Sequence, residues 1–192
     1  MPDIACALNE IKTNTLCADL GGLLTVFWID ETEVDWDAMA LPANFDDSTY
    51  TVLNWILQGG AAGFKELTFE RRNGRLDALY TSDNGFYEVS LLNLLFKGHS
   101  AAKTFDLNAA VGCCGIVAQV FDNNGLARVI GKEFISGGWV DPIDKCRISR
   151  HLDTTGGFGA ADDKSRDEFD ITGSHTYAPA YSSVTLSTMR GA

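Results

Sequence analysis

The 192-residue sequence has no run of 18 apolar residues, so no membrane-spanning helix is expected. Its opening, "MPDIACALNEIK", lacks a basic n-region and an apolar h-region, so no signal peptide is expected either. Histidine is scarce. His99, His151 and His175 stand at no metal-ligand spacing such as H-E-x-x-H. The five cysteines, Cys6, Cys17, Cys113, Cys114 and Cys146, include no C-x-x-C pair. A zinc ribbon is therefore not expected, and free thiols in a reducing compartment are the default. No G-x-S-x-G elbow occurs, which removes the main sequence handle for a serine hydrolase. Basic residues are outnumbered: Lys+Arg 15 against Asp+Glu 26 gives a net charge of −11. A protein that grips nucleic acid neutralises phosphates with Lys and Arg, so tight binding is not expected. Passage of DNA beside an acidic wall is still compatible, because the wall repels a polyanion and keeps it moving.

What the sequence has is apolar and aromatic material sufficient for one domain. Eleven Phe, five Tyr and four Trp in a chain that is 45 % hydrophobic exclude a disordered polymer. At this length a fold buries roughly 70 % of the unfolded surface and needs no metal or disulfide. An arm is read at residues 1–20, followed by a strand in "GGLLTVFWID", Gly21 to Asp30. An acidic loop follows over 31–50. It carries Trp36, Met39, Leu41 and Phe45, anchors too apolar to float free. "TVLNWILQGG" is ambiguous between strand and short helix.

Two Asn-Gly steps, Asn73-Gly74 and Asn84-Gly85, divide the next stretch into strands near 65–71, 76–81 and 86–93, read as a meander. Ser100 and the helical spacing of Ala101, Ala102, Phe105 and Ala109 predict one helix near 100–110. Later strands are predicted at 145–152, in "EFDITGS" and in "SSVTLST", with a Gly-rich acidic loop at 153–165. The fold class is therefore all-β, a sandwich or barrel with one flanking α-helix, in a single domain over 1–192.

Candidate chemistry is thin. "GGFGA" at 156–160 lacks the Lys-Ser/Thr of a phosphate loop and reads as a hairpin tip. The run Asp162, Asp163, Asp167, Glu168 and Asp170 lacks calcium-loop spacing and is broken by Lys164 and Arg166. Glu70 with Glu88, or Asp77 with Asp83, would need a measured separation to count as a glycosidase pair. Trp28, Trp36, Trp55 and Trp139 suit a sugar platform less well than core or interface anchors. Cys113-Cys114 reads as two small residues facing opposite layers, without an activating base. No enzyme, cofactor or metal site is expected.

The stretch that demands an explanation is "VAQVFDNNGLARVIGKEF", 117–134. Asn124-Gly125 signals a hairpin, but both arms are apolar on both faces. Val117 and Phe121 share one side, while Ile116, Ala118 and Val120 share the other. A strand with one solvated face would alternate. Neighbouring elements, and neighbouring subunits, are the expected cover. Trp36, Met39, Phe45, Val117, Phe121 and Val129 are the residues expected at such an interface.

Three segments carry a family resemblance. "CADLGGLLTVFWID" at 17–30 resembles the opening of small structural proteins of tailed bacteriophages. "LNAAVGCCGIVAQVFDNNGLARVIGKE" at 107–133 resembles their helix-then-hairpin unit. "TTGGFGAADDKSRDEFDITGSHTYAPAY" at 154–181 is similar to their late acidic loop, long strand and Ala-Pro stretch. Within that class the chain most resembles a tail tube protein. The resemblance implies a structural virion protein that assembles in the host bacterial cytoplasm. It implies rings, usually hexameric, whose inner strands join into one barrel. The rings stack, and genomic DNA crosses the lumen on ejection without specific binding. Sheath, terminator or baseplate proteins are the further partners it implies, and no membrane. The alternatives are another virion component (a head–tail adaptor, tail terminator or capsid decoration protein) and a carbohydrate-binding β-sandwich.

Overall fold

The computed structural model describes residues 22–67, 74–83, 85–97, 115–123, 125–154 and 166–191. The arm at 1–20, the helix expected near 100–110, Cys113-Cys114 and most of the 153–165 loop lie outside them. Strands dominate the described residues. In chain order they are β1 (Leu23–Asp30), β2 (Phe45–Asp46), β3 (Thr51–Val52), β4 (Lys65–Leu67), β5 (Arg75–Thr81), β6 (Phe86–Lys97) and β7 (Ile116–Asp122). There follow β8 (Ala127–Ile130), β9 (Glu133–Ile135), β10 (Gly138–Val140), β11 (Asp144–Thr154), β12 (Arg166–His175) and β13 (Ala180–Ser182). The helices among the described residues are short: a 3₁₀ turn at Glu31–Glu33, α1 (Trp36–Met39) and α2 (Leu186–Gly191).

β1 is rich in β-branched and aromatic residues, which suit a pleated surface packed on both sides. It stops where the Asp30 carboxylate accepts from the Thr32 N–H at 2.8 Å and the Thr32 hydroxyl at 2.6 Å. Those bonds hold the Asp30 carboxyl below the usual carboxylate range. The strands form a seven-stranded sheet, β2-β3-β13-β8-β7-β1-β4, and a four-stranded antiparallel sheet, β11-β12-β6-β5, with β9 and β10 as a separate pair. All pairings in the larger sheet are antiparallel except β13 with β3.

The expected meander is corrected at its first strand. β4 pairs with β1 in the larger sheet, and only β5 and β6 pair with each other. β4 spans three residues, and its Lys65 and Glu66 are exposed, so it suits an edge. "SSVTLST" is corrected too. Thr185 begins α2, its hydroxyl accepting from the Thr188 N–H at 3.3 Å, so Leu186 and Met189 share a helical face instead of alternating.

The larger sheet is the middle layer. On one side Val26, Ala118, Val120 and Ile130 pack against Val89, Leu91, Ile148, Phe169 and Ile171 of the four-stranded sheet. On the other side Phe27, Ile29, Val117, Phe121 and Val129 meet Val34, Met39, Phe45 and Val52 from the 31–64 excursion. Phe134, Ala180, Val184 and Met189 complete that layer. A fully buried side chain of this size contributes about 2 kcal/mol, so the excursion is held chiefly by its own apolar anchors.

Candidate functional site

The hairpin turns over three residues. The Asp122 N–H donates to the Leu126 carbonyl at 2.9 Å, and Gly125 adopts φ 83°. A three-residue loop with glycine in the left-handed position replaces the two-residue turn that Asn-Gly suggested. The six expected interface residues gather on the second side of the middle sheet. Met39, Phe45, Val117, Phe121 and Val129 are buried there within the chain itself, and Trp36 is half-buried beside them. Five of the six side chains are thus covered by their own chain, and Trp36 keeps part of its surface. Trp36 stands 5.5 Å from Trp139 and 6.4 Å from Trp55 between ring centroids. Its Nε1 donates to the Glu31 carbonyl at 2.8 Å, so it belongs to the fold.

Three polar clusters hold these layers together, and sequence reading singled out none of them. The first surrounds Gln119, which is fully buried on β7. Its Oε1 accepts from Trp55 Nε1 at 2.5 Å and from the Ser182 hydroxyl at 3.1 Å. Its Nε2 donates to the Val184 carbonyl at 2.9 Å. One amide thus ties the middle sheet to both covering segments.

The second cluster is ionic. Glu31 lies where the excursion leaves β1. Lys145 Nζ is 2.5 Å from its Oε1, and Lys132 Nζ is 3.3 Å from its Oε2. Both lysines also reach Asp141, Lys145 at 3.1 Å. Lys132 sits over the Trp36 ring, 5.2 Å from its centroid. The hydrogen bond to Glu31 raises Lys145, and the one from Lys132 lowers Asp141. The charges cancel, so this cluster is a clasp and offers no net cation to a ligand. Glu31→Gln is expected to cost about 2 kcal/mol in denaturant unfolding, because two partly buried lysines lose a charged partner. That cost should shrink at high salt, where the clasp is already weaker.

The third cluster resembles a nucleophilic pair, but its burial works against that chemistry. Cys146 Sγ is 3.7 Å from His175 Nε2, and both residues are buried. Burial pushes the thiol up to about 12 and the imidazole down to about 4. A working dyad needs a thiolate beside an imidazolium, and burial here disfavours both charges. Beside them, the Glu133 carboxylate is raised by burial and accepts from the Tyr177 N–H at 2.8 Å.

The outer face of the four-stranded sheet is a further surface of the described residues. Its cross-strand rows alternate sharply. Leu76, Leu91, Ile171 and Ile148 form an inward row. The neighbouring outward rows are Asp77, Ser90, Thr172 and Arg147, and then Leu79, Glu88, Ser174 and Asp144. This is the period-two pattern of a sheet with one solvated face. The edges also differ between the two sheets. The larger sheet ends in the two-residue β2 and in β4, whose Glu66 is gripped by Arg190 of α2 at 2.6 Å. The smaller sheet ends in seven-residue β5 and eleven-residue β11. Among the described residues no group of three His, Cys, Asp or Glu is placed to hold a metal. All four tryptophans are partly covered and pack into the two cores. In comparisons with known proteins, no family model, no curated protein and no solved structure matches this chain.

Proposed function

We propose that the chain is the repeating subunit of a bacteriophage tail tube, a structural virion protein without catalytic activity. The observation that carries this reading is the pair of long strands, β5 and β11, that end the four-stranded sheet with no further strand paired to them among the described residues. An open edge is a template for another strand. With an even number of antiparallel strands, β5 and β11 run in opposite directions, so β5 of one copy can pair with β11 of the next in the same antiparallel sense. Such a contact uses two different surfaces and repeats until it closes a ring. In this reading the outward rows line the lumen. Asp77, Glu88 and Asp144 there outnumber Arg147 and Arg75, which pairs with Asp77 at 3.0 Å, and the remaining negative excess suits transit of DNA without binding.

A second virion role, as head–tail adaptor, tail terminator or capsid decoration protein, would use the same edges without stacking. The carbohydrate-binding alternative loses support because the tryptophans pack inward.

Leu79 is 60 % exposed on β5, so its replacement leaves the core intact. Purified wild-type protein is expected to form hollow tubes in negative stain. Leu79→Asp should fold with a stability change within about 0.5 kcal/mol yet remain unassembled. Wild-type protein that stays monomeric at high concentration would sink the tube and the ring alike. Single unstacked rings would favour the adaptor or terminator role.

A further inference from the structure

His175 lies at a corner where three parts of the chain meet. It ends β12, is 1 % exposed, and its Nε2 accepts the Gly131 N–H at 3.3 Å. A neutral ring that accepts at Nε2 carries its proton on Nδ1. Just beyond it, Glu133 binds the Tyr177 N–H and also Thr176. Next to Glu133 on β9, Phe134 donates its N–H to the Tyr50 hydroxyl at 3.1 Å. The bend between β8 and β9 is thereby fastened to residues 175–177. From there the chain runs into β13 and α2, which bring Ala180, Val184 and Met189 onto the second apolar layer.

We propose that His175 is an acid-sensitive pin: its protonation frees the covering segment 176–191 from the second apolar layer, so that β13 leaves β8 while the four-stranded sheet and the β8-β7-β1-β4 part of the larger sheet remain folded. This goes beyond the assembly reading and does not depend on it. Once protonated, both ring nitrogens are donors, and Nε2–H would oppose the Gly131 N–H. The site offers the imidazolium little relief. From β11 it meets the Cys146 thiol, with Asp144 beyond it, and across the ladder from β6 stands Tyr87. From β9 the nearby carboxylate is Glu133, bonded to Tyr177 and Thr176, with Tyr50 near it and Asp47 beyond Tyr50. Lys132 is committed to Glu31 and Asp141.

The direction follows from proton binding. The closed form holds His175 near 4, whereas a solvated histidine titrates near 6.5, so the open form binds more protons between these values. Stability of the closed form is intact above about 6.5 and is lost as pH falls toward 4, up to about 300-fold in the opening equilibrium. Glu133 works the other way. Its carboxyl is raised in the closed form, so acidification through its own range favours closure. The segment opens before the four-stranded sheet because it is tied by a three-residue strand and a six-residue helix, whereas β6, β11 and β12 share long ladders.

Amide hydrogen exchange on the full chain, corrected for intrinsic rates, tests this between pH 7 and pH 4. The opening constants of the Gly131, Tyr177 and Met189 amides are expected to rise together, by about 100-fold, while those of Leu91 and Ile171 stay flat. Glu133→Gln should steepen the rise. His175→Gln retains an acceptor for Gly131 and should abolish it. The proposal is overturned if all five amides open together, or if the rise persists in His175→Gln. Should that variant fail to fold, an NMR titration of the wild-type imidazole decides. An apparent pKa near 4 supports the pin, and one near 6.5 removes it.

Discussion

Gly131→Ala is expected to be severely destabilising, with a loss above about 4 kcal/mol, a large fraction of the about 5–15 kcal/mol by which native domains are stable. Gly131 joins β8 to β9 at φ 94°, a backbone region that side chains rarely adopt. A Cβ there would lie 2.0 Å from the Ile116 carbonyl oxygen and 3.0 Å from Val117 Cα. Both obstacles are backbone in the central strand β7, so neither can swing aside as a side chain would. Shifting the bend instead breaks the Gly131 N–H bond to His175. Gly137 is the control. It has φ 86° with nothing within 4 Å of an added Cβ, so Gly137→Ala should cost only about 1 kcal/mol of backbone strain. Denaturant unfolding of the two variants separates steric exclusion from dihedral strain. Equal losses would mean that the approach to β7 is not what requires glycine at 131.

The parts of the fold that were legible are those written in local pattern. β1, β5, β6, β11 and β12 coincide with runs of β-branched and aromatic residues bounded by turn signals, because those residues suit a pleated, half-buried surface. The hairpin arms announced themselves by being apolar on both faces. What local pattern cannot give is the partner. Lys65–Leu67 reads as the first strand of a meander, yet it joins the other sheet, since pairing depends on where the chain is led. Likewise "VTLST" alternates like a strand, but the hydroxyl of Thr185 caps a helix.

The question raised by the hairpin is answered within the chain. The acidic loop at 31–50, expected to reach outward to a neighbour, folds back to lay Met39 and Phe45 on Val117, Phe121 and Val129. Glu31 is clasped by Lys132 and Lys145, and other negative residues of the loop pair locally. Asp46 accepts from the hydroxyls of Ser48 and Thr49, and Asp35 caps α1 through the Ala38 N–H. In the proposed assembly the surfaces offered to a neighbour are the edges of the other sheet, where the sequence shows only ordinary amphipathic strands. His175 was equally hidden. No local motif marks it, because Gly131 and Cys146 come to it from 44 and 29 residues away.

Gln119→Leu is the second substitution expected to have a large effect, although leucine is apolar and of similar size. β7 passes through the chain's interior, and at 119 it places an amide where Val117 and Phe121 place hydrocarbon. Leucine would fill the volume but leave Trp55 Nε1, the Ser182 hydroxyl and the Val184 carbonyl without this partner. At about 1–3 kcal/mol for each buried group left unsatisfied, a loss of about 4 kcal/mol is expected. The transfer gain of the added apolar surface offsets only part of it. Because three partners share one amide, the costs should not add. Adding Trp55→Phe and Ser182→Ala to Gln119→Leu removes two of the orphaned groups and should recover about half of the loss. Chemical denaturation of the single and triple variants measures this directly. A triple variant less stable than Gln119→Leu would show that packing of the Trp55 ring, not its N–H, fastens the excursion to the sheet. Recovery would show instead that a buried polar contact selects this one arrangement of strap and sheet from the many that apolar contact alone would permit.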